Sequence, residues 1–165
     1  MERRFSRIKR IAITGPECSG KTTLARHLKK VWNAALAEEF AREYLEKIDS
    51  YRFEDLDAIL EGQLENERKA EAEGKSIVVC DTDVLVIKIW SEVKFGKVSP
   101  LVQTYYEQTH YDLTILCKPI YQWEFDPLRE APDENDRLRL YQLYYQALQQ
   151  EGRLFLCLEP ELDQP

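Results

Sequence analysis

The stretch Ile11–Thr23, IAITGPECSGKTT, constrains the fold more than any other part of the chain. A short apolar, β-branched run ends at Gly15. Gly20, Lys21 and Thr22 then open an amphipathic segment, so the spacing reads GxxxxGK[ST]. Glycines at these positions let backbone N–H groups turn inward and approach an anion closely. A helix starting at Lys21 adds partial positive charge at its N-terminus. The motif works only between a strand and a helix, and the flanking sequence supplies both. The loop Gly15, Pro16, Glu17, Cys18, Ser19, Gly20, Lys21, Thr22 and Thr23 is therefore expected to cradle the phosphates of ATP or GTP. Lys21 is placed to bridge the β- and γ-phosphates, and the Thr22 hydroxyl to bind Mg²⁺. No NKxD motif for guanine is present, so ATP with Mg²⁺ is the expected pair.

The alternation continues along the chain. Arg10–Thr14, a short segment within AALAEEF, Ser76–Asp81, Asp112–Lys118 and Arg153–Glu159 read as strands. Helical periods separate them: Lys21 to about Asn33, Glu54–Glu73, Asp83–Phe95, a run capped by Ser99 with Pro100 at its first position, and about Asp133–Gln150. Strands that alternate with helices argue for a parallel sheet covered on both faces. The expected fold class is α/β: a three-layer P-loop NTPase fold in one domain, 1–165, with a five-stranded, mostly parallel sheet. Residues 119–135 hold three prolines, several carboxylates and Arg129, and read as a lid segment.

Composition narrows the partners. The 165 residues carry 23 Lys+Arg against 30 Asp+Glu, a formal net charge of −7. A nucleic-acid partner would want a basic stripe, so none is expected. No apolar run approaches the roughly 20 residues of a membrane span. The basic start MERRFSRIKR leads straight into a strand and is read as a solvated tail rather than a signal peptide. Cys18, Cys80, Cys117 and Cys157 form no CxxC pair. Three of them fall in apolar runs that read as buried strands. Reduced thiols and a cytoplasmic setting are expected. Nothing in the composition addresses the oligomeric state.

The acceptor side is read from strand ends, where ligands bind in open α/β sheets. Asp81 ends the third apolar strand, where a carboxylate helps to hold Mg²⁺. Asp83 begins the next helix, as a substrate-side carboxylate or as an N-cap. EEFAREY, Glu38–Tyr44, follows the second strand and reads either as a carboxylate placed to accept the proton of an attacking hydroxyl, with Glu39 a candidate, or as a solvated helix start with an Arg–Glu pair. Arg42 lies one turn on, as a partner of phosphates or of a nearby carboxylate. Arg129 in the lid can neutralise charge on the transferring group. Trp123 and Trp90 offer aromatic faces, and Trp90 falls on the apolar stripe of its helix. A small-molecule phosphotransferase is the function class that collects these features. A kinase of another nucleoside or nucleotide, and an ATP-binding regulatory module, stand as alternatives.

ITGPECSGKTTL, EEFAREYL, DTDVLVIKIWSEVKFG, YDLTILC and WEFDPLRE occur in this order and at these separations. Together they resemble the ribosylnicotinamide kinase domain of NadR-type NAD-biosynthesis proteins, in the P-loop nucleoside/nucleotide kinase group. The resemblance covers about Ile8 to Phe155. It implies ATP-dependent phosphorylation of the 5′-hydroxyl of nicotinamide riboside, giving nicotinamide mononucleotide. By position it implies Lys21 and Thr22 at ATP–Mg²⁺, and Glu39 facing the acceptor hydroxyl. It also implies Arg42 beside the phosphates, Asp81 and Asp83 in the acceptor and metal region, and Arg129 as the lid arginine. Trp123 would suit the pyridinium ring. Two departures stand out. The adenylyltransferase domain with its HxGH motif and the helix-turn-helix of NadR-type proteins are not in this sequence, so neither activity is expected. The family pattern also continues past the last strand into a glycine turn and a final helix beside the adenine. Here the sequence reads LEPELDQP, and a more open adenine site is expected.

Overall fold

The computed structural model describes residues 7–119 and 123–159. The start of the basic tail, 120–122 of the expected lid, and the residues from 160 onward lie outside them. The elements run β1 (Lys9–Thr14), α1 (Lys21–Val31), β2 (Ala35–Ala37), α2 (Phe40–Leu45), α3 (Asp55–Ala72), β3 (Ile77–Asp81), α4 (Val84–Phe95), α5 (Pro100–Gln108), β4 (Leu113–Cys117), α6 (Glu134–Gln150) and β5 (Phe155–Leu158). The strands form one sheet in the order β2-β3-β1-β4-β5, and every pairing is parallel. The expected α/β architecture is present, and its sheet is more uniform than the mostly parallel one read from sequence.

Side-chain alternation along the strands sorts the core into two layers. Ile11, Ile13, Val79, Ile115 and Cys117 face α1, where Ala25 is buried among them. Val78 and Cys80 face the other way, toward Ala70 of α3. Leu116 joins a larger cluster on that second side, built from α3, α4, α5 and α6. The predicted α3 stripe is its backbone: Leu56, Ile59, Leu60 and Leu64 are all buried. Burying a large aliphatic side chain contributes roughly 1.5–3 kcal/mol, so this stripe holds α3 in place although most of its other residues are charged. Asp83, Ser99 and Asp133 cap α4, α5 and α6 by accepting from the backbone N–H three residues on.

One expectation is corrected. Cys157 was expected in a buried strand, yet it is exposed. It lies on β5, the edge strand beside β4. The helix α1 packs over β1, β2 and β3, and Leu154, Leu156 and Leu158 are also exposed on this margin. Cys80 and Cys117 are buried as expected, and Cys18 is half-buried.

The turn out of β1 depends on Gly15. Its φ of 135° is one that L side chains rarely adopt, and a Cβ there would lie 2.6 Å from the carbonyl oxygen of Cys117. The phosphate loop thus leaves the sheet pressed against the end of β4. Gly15→Ala is expected to cost at least the roughly 1–3 kcal/mol of a strained backbone position, read as a lower urea midpoint with an unchanged slope.

Candidate active site

The loop after β1 packs onto its own backbone. The Ser19 hydroxyl and the Lys21 ammonium both donate to the Pro16 carbonyl, each at 2.7 Å. Ser19 is buried, whereas Lys21 lies at the cleft wall. Cys18 takes a φ of 56°, so the loop turns through the left-handed region at a residue other than glycine. The Thr22 hydroxyl, in the first turn of α1, donates to Asp81 Oδ2 at 2.7 Å. That bond joins the phosphate loop to the end of β3. Asp81 is buried, and its Oδ1 has no hydrogen-bond partner. Burial pushes the Asp81 carboxyl above its ordinary range, against the pull of the Thr22 bond and of Lys21.

A buried glutamine sets the second carboxylate against the first. Gln63 of α3 accepts from the Phe40 N–H at 2.9 Å and donates to the carbonyls of Asp81 at 3.4 Å and Thr82 at 3.3 Å. It therefore ties the start of α2, just after Glu39, to the end of β3. The Phe40 ring lies on Gly62, where a Cβ would come within 2.1 Å of it, so α2 docks closely on α3. Thr82 has a φ of 78°, an outlier for a β-branched residue, and its N–H donates to the Ile13 carbonyl at 3.1 Å. This strained turn sits between Asp81 and Asp83. Glu39 is pushed up by burial and by the nearby Asp81 charge, while Lys21 and Arg42 act in the opposite direction.

These residues open into two cavities. The larger is a cleft of about 800 Å³. The entire loop from Gly15 to Thr23 lines it, with Glu39, Arg42, Arg129 and, on the α4 wall, Trp90 and Lys94. The smaller, about 460 Å³, shares Thr22, Glu39 and Arg42 with it. Asp81 lines the smaller one. Segment 123–133 reaches across the larger cleft. Arg42 pairs with Asp126 at 3.0 Å, rather than with Glu39. The Arg129 guanidinium donates to the Glu124 carbonyl at 2.8 Å and borders the cleft. Glu17 Oε1 accepts from the N–H groups of Glu130 and Ala131, at 3.0 and 2.6 Å.

Two expected site residues line neither cavity. Asp83 is fully buried, accepts from the Thr14 hydroxyl at 2.8 Å and from the Val86 N–H at 3.3 Å, and lines neither cavity. It is the N-cap of α4. Trp123 packs edge-on against Phe125, ring centres 6.2 Å apart, and lines neither cavity. Trp90 provides the aromatic wall instead, with its indole N–H donating to the Tyr51 hydroxyl at 2.9 Å. Tyr51, Lys94, Glu130 and Gln63 were not singled out in the sequence. Their roles arise from long-range contacts, and only the i, i+3 and i+4 stripe of α3 placed Gln63 on a buried face.

Burial pushes the Asp83 carboxyl up to about 6 from an ordinary 3.8. Between those values the folded chain holds a proton that the unfolded chain has released, so this group makes stability fall as pH rises through the window. Asp83→Asn is expected to flatten that slope while keeping the cap. Asp83→Ala is expected to flatten the slope as well and, lacking the cap, to be roughly 0.5–2 kcal/mol less stable than Asp83→Asn at both pH values. Urea unfolding at pH 4.5 and 7.5 checks both.

A family model, AAA_28, an AAA domain, matches residues 10–162. The chain belongs to that family. It is similar to the trifunctional NAD biosynthesis/regulator protein NadR of Escherichia coli strain K12, 27% identical over 160 residues that cover 93% of this chain and 39% of the relative. A crystal structure of NadR protein in complex with NR superposes with a TM-score of 0.80 at 28% identity, over 94% of this chain and 47% of that one. NadR protein in complex with NAD and AMP-PNP gives 0.75 at 27% identity, over 96% and 46%. The chain thus spans about two fifths to one half of the length of these relatives. A thymidylate kinase from Ehrlichia chaffeensis shares the fold, with a TM-score of 0.63 at 18% identity over 95% of this chain and 91% of that one. The architecture is that of P-loop kinases. Among the described residues no helix is long and apolar enough to cross a membrane.

Proposed function

We propose that the protein transfers the γ-phosphoryl group of ATP to the 5′-hydroxyl of nicotinamide riboside, giving nicotinamide mononucleotide and ADP. The observation that carries this reading is the larger cleft. It runs from the phosphate loop past Glu39 to Trp90, so that one space holds a phosphate cradle, a raised carboxylate and an aromatic wall. The NadR structures with NR and with AMP-PNP support the choice of acceptor and nucleotide.

The loop N–H groups and Lys21 hold the triphosphate. Lys21 now donates to Pro16, a bond it exchanges for phosphate oxygens when nucleotide enters. Thr22 and Asp81 are the residues that would hold Mg²⁺, and the unpartnered Asp81 Oδ1 suits that donor set. No cluster of three or more carboxylate, histidine or cysteine groups able to hold a metal occurs among the described residues. That fits an ion bound mainly by substrate phosphates and water. When bound, Mg²⁺ neutralises charge on the phosphates. The face of Trp90 suits a pyridinium cation. Glu39 takes the proton of the 5′-hydroxyl as its oxygen bonds to the γ-phosphorus. The bond to the bridging oxygen breaks, and ADP leaves with that electron pair. Arg129 neutralises charge spread over the equatorial oxygens.

Mass spectrometry of the protein incubated with ATP–Mg²⁺ and a nucleoside panel tests the assignment. A gain of one phosphate on nicotinamide riboside is expected, lost in Lys21→Ala. Turnover of thymidine or deoxyadenosine alone would move the acceptor, and binding of ATP without any product would leave a regulatory module. The pH profile adds an independent check. Glu39 must be ionised to act, and the triphosphate charge raises its pKa further. The rate is therefore expected to rise with pH through a value above that of an ordinary glutamate. Glu39→Gln should lose that limb along with at least about a hundredfold of kcat.

A further inference from the structure

Glu130 joins the two walls of the larger cleft. Its N–H donates to Glu17 Oε1 in the phosphate loop. Its side-chain Oε1 accepts from the Tyr51 hydroxyl at 2.7 Å and from the Lys94 ammonium at 2.9 Å. Tyr51 in turn accepts from the Trp90 indole N–H and meets that ring edge-on, centres 5.0 Å apart. One residue thus bonds to the nucleotide side through its backbone and to the acceptor wall through its carboxylate. Arg129 is the preceding residue.

The contact is a poor stabilising device. Lys94 and Glu130 are 46% and 41% exposed at the side chain, and an exposed ion pair adds little to stability. What it fixes is position. The opposite end of the segment is held separately, because buried Arg137 donates to the carbonyls of Ala131 and Pro132 at 2.9 and 2.7 Å. Asp126 anchors the near end on Arg42. Between these anchors, the Glu130 side chain reaches the acceptor wall.

We infer that Glu130 is a positioning residue: its bonds to Tyr51 and Lys94 hold Arg129 over the phosphate loop, so that the phosphoryl group passes to the acceptor rather than to water. This rests on the kinase reading above. Water attack would yield inorganic phosphate and ADP from the same γ-phosphorus, so the ratio of ADP to phosphorylated acceptor reports the error directly.

The test uses Glu130→Ala and Glu130→Gln in the full chain, the second keeping an acceptor oxygen for Tyr51 while losing the charge. Amide hydrogen exchange across 123–133 is expected to quicken about tenfold in Glu130→Ala and less in Glu130→Gln, with β1 and β3 unchanged. Transfer to the acceptor should fall about tenfold in kcat with the KM for ATP nearly unchanged, and the ADP excess should rise. Arg129→Ala should cost much less in the Glu130→Ala background than in the native chain, because both substitutions disable one device. Unchanged exchange, fully additive losses, or an unchanged ADP ratio would overturn the inference. If the native chain phosphorylates no acceptor, the kinase reading fails instead, and the exchange measurement alone then decides whether Glu130 orders the segment.

Discussion

The hydrogen bond from Thr22 to Asp81 is the joint on which the site depends. It links the first turn of α1 to the C-terminal end of β3, two neighbours that the chain separates by 59 residues. Because β3 lies between β2 and β1 in the sheet, that joint also sets the distance to Glu39 beyond β2. The order β2-β3-β1-β4-β5 places the phosphate loop, Asp81 and Glu39 after three adjacent strands, at the same end of the sheet. Parallel strands place all their C-terminal ends on the same side, which is where such folds bind ligands.

The price of this arrangement is local. Asp81, Asp83 and Glu39 are carboxyls held above their ordinary range by burial. Thr82 takes a backbone conformation that costs of order 1–3 kcal/mol. The structure offsets these costs with the large apolar cluster beneath α3, α4 and α6, and with Gln63, whose single amide satisfies three backbone groups. The carboxyls of Asp81 and Glu39, raised beside a glycine loop and a strained turn, mark this end of the sheet as a candidate site.

Much of this was legible in the sequence. The glycine loop is a local motif with one physical solution, so its residues, its strand and its helix could be read directly. Strand ends were legible too, since apolar runs stop where carboxylates begin at Asp81 and Glu38. The cleft wall was not. Trp90 shares the apolar stripe of α4 yet borders the cleft, and nothing local distinguishes an inward position facing core from one facing a cavity. Asp83 reads from sequence as a cap or as a substrate-side carboxylate; in the structure it caps α4 and accepts from Thr14, 69 residues away. Trp123 offers an aromatic face by residue type alone, and in the structure it packs edge-on against Phe125. The apolar run around Cys157 reads as buried, whereas burial on an edge strand depends on what covers it.

The proposed transfer requires nucleotide and acceptor to meet between the phosphate loop and Glu39, with the metal beside Thr22 and Asp81. A crystal structure with AMP-PNP, nicotinamide riboside and Mn²⁺, with an anomalous map for the metal, tests it most directly. An anomalous peak beside Thr22 and Asp81 is expected, with the ribose 5′-hydroxyl within hydrogen-bond reach of Glu39. A nucleoside bound elsewhere, or a metal distant from an unbroken Thr22–Asp81 bond, would contradict it.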